Sequence, residues 1–368
     1  MATLDLAGIN KTYGKKTRAL VDVDLSVDDG EFFVILGPSG AGKTTTLKCI
    51  AGLEEIDSGR VRIGAQDMAG IEPYHRGVAM AFESYALYPQ KTVLENLASP
   101  LRSGRTGDYS AAQQQERIDS VTETLGIKEL QQRFPRELSN GQRQRVALGR
   151  VLVRPAGIYL LDEPLSHLDA KLRATMRAEL KALGSMSSTT TVYVTHDYQE
   201  ALALGDRIAV LREGRVVQIS SPQEIWNDPV DTFVARALGQ PEMNLIDVTV
   251  ENSRLSTVDG ALRVPVPDGL NLPAEARLGV RPRDVSLRAV DSGLEWDGRV
   301  LLAERLGRLV ELTVVVGDTE IVAVVGSDEA PGEGEQVRLW IAPRSVHVFT
   351  AERPYGRRIG ALGGGDRG

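Results

Sequence analysis

The run Gly37-Pro38-Ser39-Gly40-Ala41-Gly42-Lys43-Thr44 combines glycines, a lysine and a hydroxyl in the order that phosphate binding requires. It follows an apolar segment, Phe32 to Leu36, and leads into a helix-prone stretch, Thr45 to Ala51, so strand, loop and helix are predicted in succession. Gly37, Gly40 and Gly42 let backbone N–H groups converge without Cβ clashes, and the helix N-terminus adds partial positive charge. Ser39, Ala41 and Thr45 belong to the same nucleotide-binding stretch. Lys43 is expected to reach the terminal phosphates and Thr44 to place its hydroxyl on Mg²⁺. A nucleoside triphosphate is the predicted ligand.

A second cluster closes the apolar run Ile158-Tyr159-Leu160-Leu161, where Asp162 and Glu163 stand side by side. Successive strand side chains point to opposite faces, so the two carboxylates should take different tasks. Asp162 would hold Mg²⁺ through water, and Glu163 would polarise the water that attacks the γ-phosphate.

The elements that must position these groups are legible as short apolar runs: Phe32 to Leu36, Gly157 to Leu161, Thr191 to Val194 and Ile208 to Leu211. They read as buried strands of a largely parallel sheet with helices between, an α/β nucleotide-binding fold whose ligand sits at the strands' C-terminal ends. Gly104 to Asp108 reads as a polar turn and Ser110 to Leu125 as a helix, within a mostly helical subdomain at about 88–153. Near Pro241 the pattern changes to alternating segments, Ile246 to Val250, Arg299 to Leu302, Val310 to Val316 and Val337 to Ile341, divided by Gly, Asp and Pro turns. This second part is expected to be an all-β, oligonucleotide-fold-like barrel. The predicted division is 1–240, 241–351 and a tail at 352–368, loosely attached from Gly356 onward.

Length and charge bound the rest. At 368 residues the chain exceeds what one core usually supports, so two domains are expected. The formal net charge is -7, and Pro241 to Ala351 alone carries 18 acidic residues against 11 arginines and no lysine. That balance argues against nucleic acid as a partner. The single cysteine, Cys49, has no internal disulfide partner and reads as packing on the helix after the glycine loop. No secretory signal and no bilayer-length apolar stretch is evident, so the chain is expected in the cytoplasm, reaching a membrane through a partner.

The segment Leu138-Ser139-Asn140-Gly141-Gln142, followed by Arg143-Gln144-Arg145, resembles the signature of the ATP-binding subunits of ABC transporters, and the resemblance runs from about Leu4 to Phe349. Ser-x-Gly-Gln at a helix start offers a hydroxyl, N–H groups and a dipole to an anion; alone it could equally be a helix cap. The resemblance implies that Ser139, Gly141 and Gln142 lie across a dimer interface, on the γ-phosphate held by a second ATPase subunit. It further implies that Tyr13, in Lys11-Thr12-Tyr13-Gly14, stacks on adenine. Asp169, in Ser166-His167-Leu168-Asp169, belongs to the D-loop linking the two composite sites, and His196, in Val194-Thr195-His196-Asp197, is the switch histidine touching the γ-phosphate. His167 stands where the family more often has Asn, and His75, His167 and His347 carry no motif-based role.

One position departs from the family pattern. In Ala81-Phe82-Glu83-Ser84-Tyr85-Ala86-Leu87-Tyr88-Pro89, Glu83 occupies the place of a metal-binding Gln. A carboxylate suits Mg²⁺ but adds charge and lacks the amide donor. Three readings stay open: an active variant, a slowed site, or a site completed by a different ATPase.

The stretch from Asp206 through Gly239-Gln240-Pro241-Glu242-Met243-Asn244-Leu245, with Leu278-Gly279-Val280-Arg281-Pro282, resembles the link and regulatory (TOBE) domain of maltose-type importer ATPases. That implies two ATPase subunits beneath two transmembrane permease subunits, fed by an extracytoplasmic solute-binding protein, with Tyr85, Leu87 and Tyr88 receiving a coupling helix. A carbohydrate or polyol is the expected solute. The alternatives are a polyamine, a metal or another small solute, or a soluble ABC ATPase outside transport.

Overall fold

The computed structural model describes residues 2–14, 16–82, 87–102, 109–166, 168–187, 189–267 and 269–363. Glu83, Ser84, Tyr85, Ala86 and His167, and the turn expected at Gly104 to Asp108, lie outside the described residues. The chain divides into two compact units, Met1–Gln223 and Glu224–Gly368.

In the first unit, β1 (Leu4–Tyr13) pairs antiparallel with β2 (Thr17–Val27) and with β4 (Ser58–Ile63), which continues into β5 (Gln66–Asp67). The principal sheet runs β10-β9-β3-β8-β7-β6, built from β3 (Phe32–Leu36), β6 (Val78–Ala81), β7 (Ile158–Asp162), β8 (Thr190–Thr195), β9 (Arg207–Arg212) and β10 (Arg215–Ser220). All its pairings are parallel except that of β10 with β9. Every residue of β3 and of β8 is buried. A strand covered on both faces cannot alternate, which is why these segments are continuous apolar or Thr/Val runs.

Helix starts follow local chemistry. Thr92 with Glu95, Ser110 with Gln113 and Ser139 with Gln142 form capping boxes ahead of α2 (Val93–Ala98), α3 (Ala111–Thr124) and α4 (Asn140–Leu152). In each, a hydroxyl accepts from the third helical amide and that residue's side chain accepts from the cap amide, so two orphan donors are satisfied reciprocally. These helices supply the expected helical subdomain.

The glycine loop's helix, α1 (Lys43–Ala51), packs Leu47, Cys49 and Ile50 into the core beside Phe33, Ile35 and Val192. Burial pushes the Cys49 thiol up to about 11, so the thiolate is scarce at neutral pH. Iodoacetamide at pH 8 is expected to leave the native protein unmodified and to alkylate Cys49 fully in denaturant, read by mass spectrometry. Rapid native labelling would contradict this packing.

The second unit is all-β apart from short helices. One sheet orders its strands β13-β12-β11-β14-β20-β21, namely Arg263–Pro265, Arg254–Ser256, Asn244–Glu251, Glu275–Val280, Val346–Thr350 and Arg358–Ala361. The other runs β15-β19-β16-β17-β18, namely Val285–Ser286, Gln336–Ile341, Leu294–Leu306, Leu309–Val316 and Thr319–Gly326. Trp296, Leu312, Val314, Leu339, Val348 and their neighbours form a core shared by both, as in the expected barrel-like domain.

This unit begins upstream of Pro241. Buried Arg281 donates to the carbonyls of Trp226, Ala235 and Leu238 and stacks on the Trp226 ring at 3.7 Å, so the short helices before Pro241 are tied to the β-domain. The tail also differs from expectation. Residues 358–361 form β21 on the edge of β20, Arg358 pairs with Asp228 at 2.7 Å, and Leu362 is buried. An arginine and a glycine within so short a strand conceal its pattern in the sequence.

Candidate nucleotide site

Parallel register brings the chemistry-bearing residues to one edge of the sheet. Leu36 lies opposite Thr195, and Val194 opposite Asp162, so the glycine loop, the carboxylate pair and His196 emerge side by side from β3, β7 and β8. Gly42 is the N-cap of α1 with φ 104°, and a Cβ there would come within 2.5 Å of the Ala19 carbonyl oxygen. Both the backbone angle and the space therefore require glycine. The cap contributes no side-chain bond and the first turn contains no acidic residue, so the positive end of the helix is not compensated by its own side chains, an environment that suits an anion.

Lys43 is buried and ion-paired. Its Nζ donates to the Pro38 carbonyl at 3.1 Å and lies 3.3 Å from Glu163 Oε1. The other oxygen of that carboxylate, Oε2, is 2.8 Å from His196 Nδ1. Lysine, glutamate and histidine therefore form a continuous polar chain across the mouth of the site. Glu163 sits at φ 45°, a left-handed conformation costing a non-glycine residue ~1–2 kcal/mol, where the chain turns sharply off β7. Its amide remains bonded to the Val194 carbonyl, which fixes the turn.

Asp162 takes the separate place that strand alternation predicted. It is 3 % exposed, and its Oδ1 accepts from the Thr44 hydroxyl at 3.0 Å. A buried carboxylate facing a hydroxyl at the foot of the loop is a hard-oxygen donor set suited to Mg²⁺. Glu83, the third expected ligand, falls outside the described residues.

The remaining expected residues are distributed as follows. Gly37, Ser39, Gly40, Ala41 and Thr45 lie on the loop and the first turn of α1, with Gly40 at φ 81° facing open space. Tyr13 is half-exposed; burial raises its phenol and a hydrogen bond to Thr45 opposes that, placing the ring beside the same turn. Ser139 caps α4: its Oγ accepts from the Gln142 amide while Gln142 Oε1 accepts from the Ser139 amide, so cap and anion site are not alternatives. The Ser139 hydroxyl proton stays available to a phosphate. Asp169 caps α5 (Ala170–Ser187) through the Leu172 amide. Leu87 is partly buried, and Lys91 and Arg150 place their cations over the Tyr88 ring, 4.6 and 4.7 Å from its centre.

Sequence reasoning missed three contacts. The Lys43–Glu163 ion pair joins two motifs with no sequence link. Gln144, within the signature helix, donates to the Pro164 carbonyl directly after Glu163. Arg173 on α5 reaches Asp197; its spacing from Asp169 by one helical turn was the available signal.

The profile described as "ABC transporter" matches residues 20–166, and a TOBE-domain profile matches 278–349. The sn-glycerol-3-phosphate import ATP-binding protein UgpC of Cupriavidus pinatubonensis is 40% identical over 377 aligned residues, covering 98% of this chain and 100% of that protein. The chain belongs to the ATP-binding subunits of ABC transporters. It is an ATP-hydrolysing import subunit with a C-terminal TOBE domain. The sulfoquinovosyl glycerol transport ATP-binding protein SmoE of Agrobacterium fabrum is likewise 40% identical, over 95% of this chain and 98% of its own length. Among solved structures, the ATP-binding cassette MJ0796, a dimer in a post-hydrolysis state bound to ADP and Pi, is 32% identical with a TM-score of 0.55, covering 60% of this chain and 98% of that one. ABC ATPase chemistry therefore belongs to the first unit.

Proposed function

We propose that this ABC subunit powers import of a carbohydrate or polyol by closing with a second ATPase subunit around ATP. The observation that carries the mechanism is the Lys43–Glu163–His196 chain at the mouth of the glycine loop. Lys43 holds one oxygen of the Glu163 carboxylate and His196 lies against the other. The triphosphate competes for Lys43, and that exchange frees one carboxylate oxygen to take a proton from the attacking water while His196 holds the other. Thr44 and Asp162, with Glu83, would hold Mg²⁺, which when bound neutralises phosphate charge. The loop amides, Ser39 and the first turn of α1 cradle phosphates, and Tyr13 stacks on the base.

Ser139, Gly141 and Gln142 serve the opposite subunit's γ-phosphate, and Asp169 links the two sites. Two permease subunits, engaged at Tyr88, and an extracytoplasmic solute-binding protein complete the transporter, which places this chain at the cytoplasmic face of the membrane. Among the described residues no helix is long and apolar enough to cross a bilayer. The solute class rests on the relatives named for glycerol phosphate and sulfoquinovosyl glycerol import. In proteoliposomes containing the whole transporter, ATPase activity should be stimulated by a glycerol phosphate or glycosyl glycerol with its binding protein. Stimulation by a polyamine or metal instead would overturn the solute class.

A further inference from the structure

Arg173 stands outside every motif assigned so far, yet it joins two of them. Its Nη2 donates to the Leu168 carbonyl at 3.1 Å, within the D-loop, and its Nη1 to Asp197 Oδ2 at 3.3 Å, next to the switch histidine. Asp197 is fixed in turn, because its Oδ1 accepts from the amides of Gln199 and Glu200 at the start of α6 (Tyr198–Leu204). Below it, buried Glu200 accepts from Tyr193 and Thr195 and lies 3.9 Å from Arg173 Nε. One planar guanidinium therefore spans the D-loop, the switch and the helix behind the switch, a fork geometry that lysine cannot reproduce.

Leu168 also leads outward. A Cβ on Gly141 of the signature would meet Leu168 and Leu172 at 3.2 and 3.1 Å, so the D-loop and signature start are in van der Waals contact. On the other side, His196 touches Glu163, and Glu163 touches Lys43. A triphosphate that takes Lys43, as proposed above, would act on that side.

We infer that Arg173 is a positioning residue that makes the placement of the D-loop depend on the switch segment, so that occupancy of a chain's own nucleotide site is transmitted to the surface it offers the second subunit. The inference rests on the two-site closure proposed above. A transmission claim needs an element biased by both sites, and the D-loop end at Leu168 is that element here.

The test uses the assembled transporter, with Arg173→Lys, Arg173→Gln and Asp197→Asn, following ATPase rate against ATP concentration. Asp197→Asn keeps the Oδ1 cap of α6 and removes only the acceptor for Arg173, so it serves if Arg173→Gln misfolds. The Hill coefficient is expected to fall from well above 1 in the parent to about 1 in all three variants, which corresponds to losing a coupling of roughly 5- to 150-fold between sites, and kcat should fall with it. ADP affinity of the isolated subunits should stay within about twofold, and the double variant should be no worse than either single one. Lowered thermal stability with an unchanged Hill coefficient would overturn the inference, leaving Arg173 a structural tie. A parent transporter without cooperativity would instead contradict two-site closure itself, and this inference with it.

Discussion

Glu163→Gln is expected to lower kcat by about 10³, the middle of the range for loss of a positioned general base, while ATP binds more tightly than to the parent. The second half of this expectation comes from the geometry. Lys43 Nζ is 3.3 Å from Glu163 Oε1, both side chains being largely shielded from water. ATP must break that pair to claim the lysine. Glutamine has no charge to offer Lys43, so the competing partner disappears and the apparent Kd for ATP should fall a few-fold, or ~1 kcal/mol. Equilibrium binding of ATP and single-turnover hydrolysis separate the two effects. A variant that hydrolyses ATP at the parent rate would remove Glu163 from its proposed role, and weaker ATP binding would remove the competition.

Lys43→Ala is expected to act in the opposite sense on binding, weakening ATP by at least about a hundredfold, or roughly 3 kcal/mol, because two charges lose their buried partner. The phosphates lose their cation, and Glu163 loses the ammonium that compensates it. ADP, which lacks the γ-phosphate, should be affected less than ATP. Isothermal titration with both nucleotides checks this, and equal losses would mean that Lys43 does not reach the terminal phosphate. The same substitution should leave the second unit's fold untouched, since its core contains no residue of the glycine loop.

The contrast between these two variants also marks what was legible in the sequence. Gly42, Lys43 and Thr44 are read from adjacent residues, because a strand, a tight turn and a helix start are local events. Asp162 and Glu163 are equally local, and strand alternation alone separated their tasks. The ion pair between Lys43 and Glu163 was not legible, since it depends on β3, β8 and β7 lying in register. The capping box at Ser139 was legible as a choice between cap and anion site; three-dimensional geometry makes them compatible, because an accepting hydroxyl still has a proton to donate.

In the second unit, alternation exposed the long strands, whereas β21 escaped notice because four residues that include Arg358 and Gly360 show too little pattern. The start of that unit was hidden for another reason. Short helices before Pro241 look like the end of an α/β domain, and only the buried guanidinium of Arg281 reveals what they pack against.

The central claim is that two copies of the fold close on nucleotide, each giving Ser139 to the other's glycine loop. Cys49 is the single cysteine and is buried, so introduced thiols can be read without interference. Copies carrying Ser39→Cys, mixed with copies carrying Ser139→Cys, both in the slow Glu163→Gln background, should form an intersubunit cross-link with a short bifunctional thiol reagent when ATP and Mg²⁺ are present. With ADP, or without nucleotide, the band should be absent. A cross-link that ignores nucleotide, or none at all alongside full-speed hydrolysis by a monomer of the parent chain, would contradict the account.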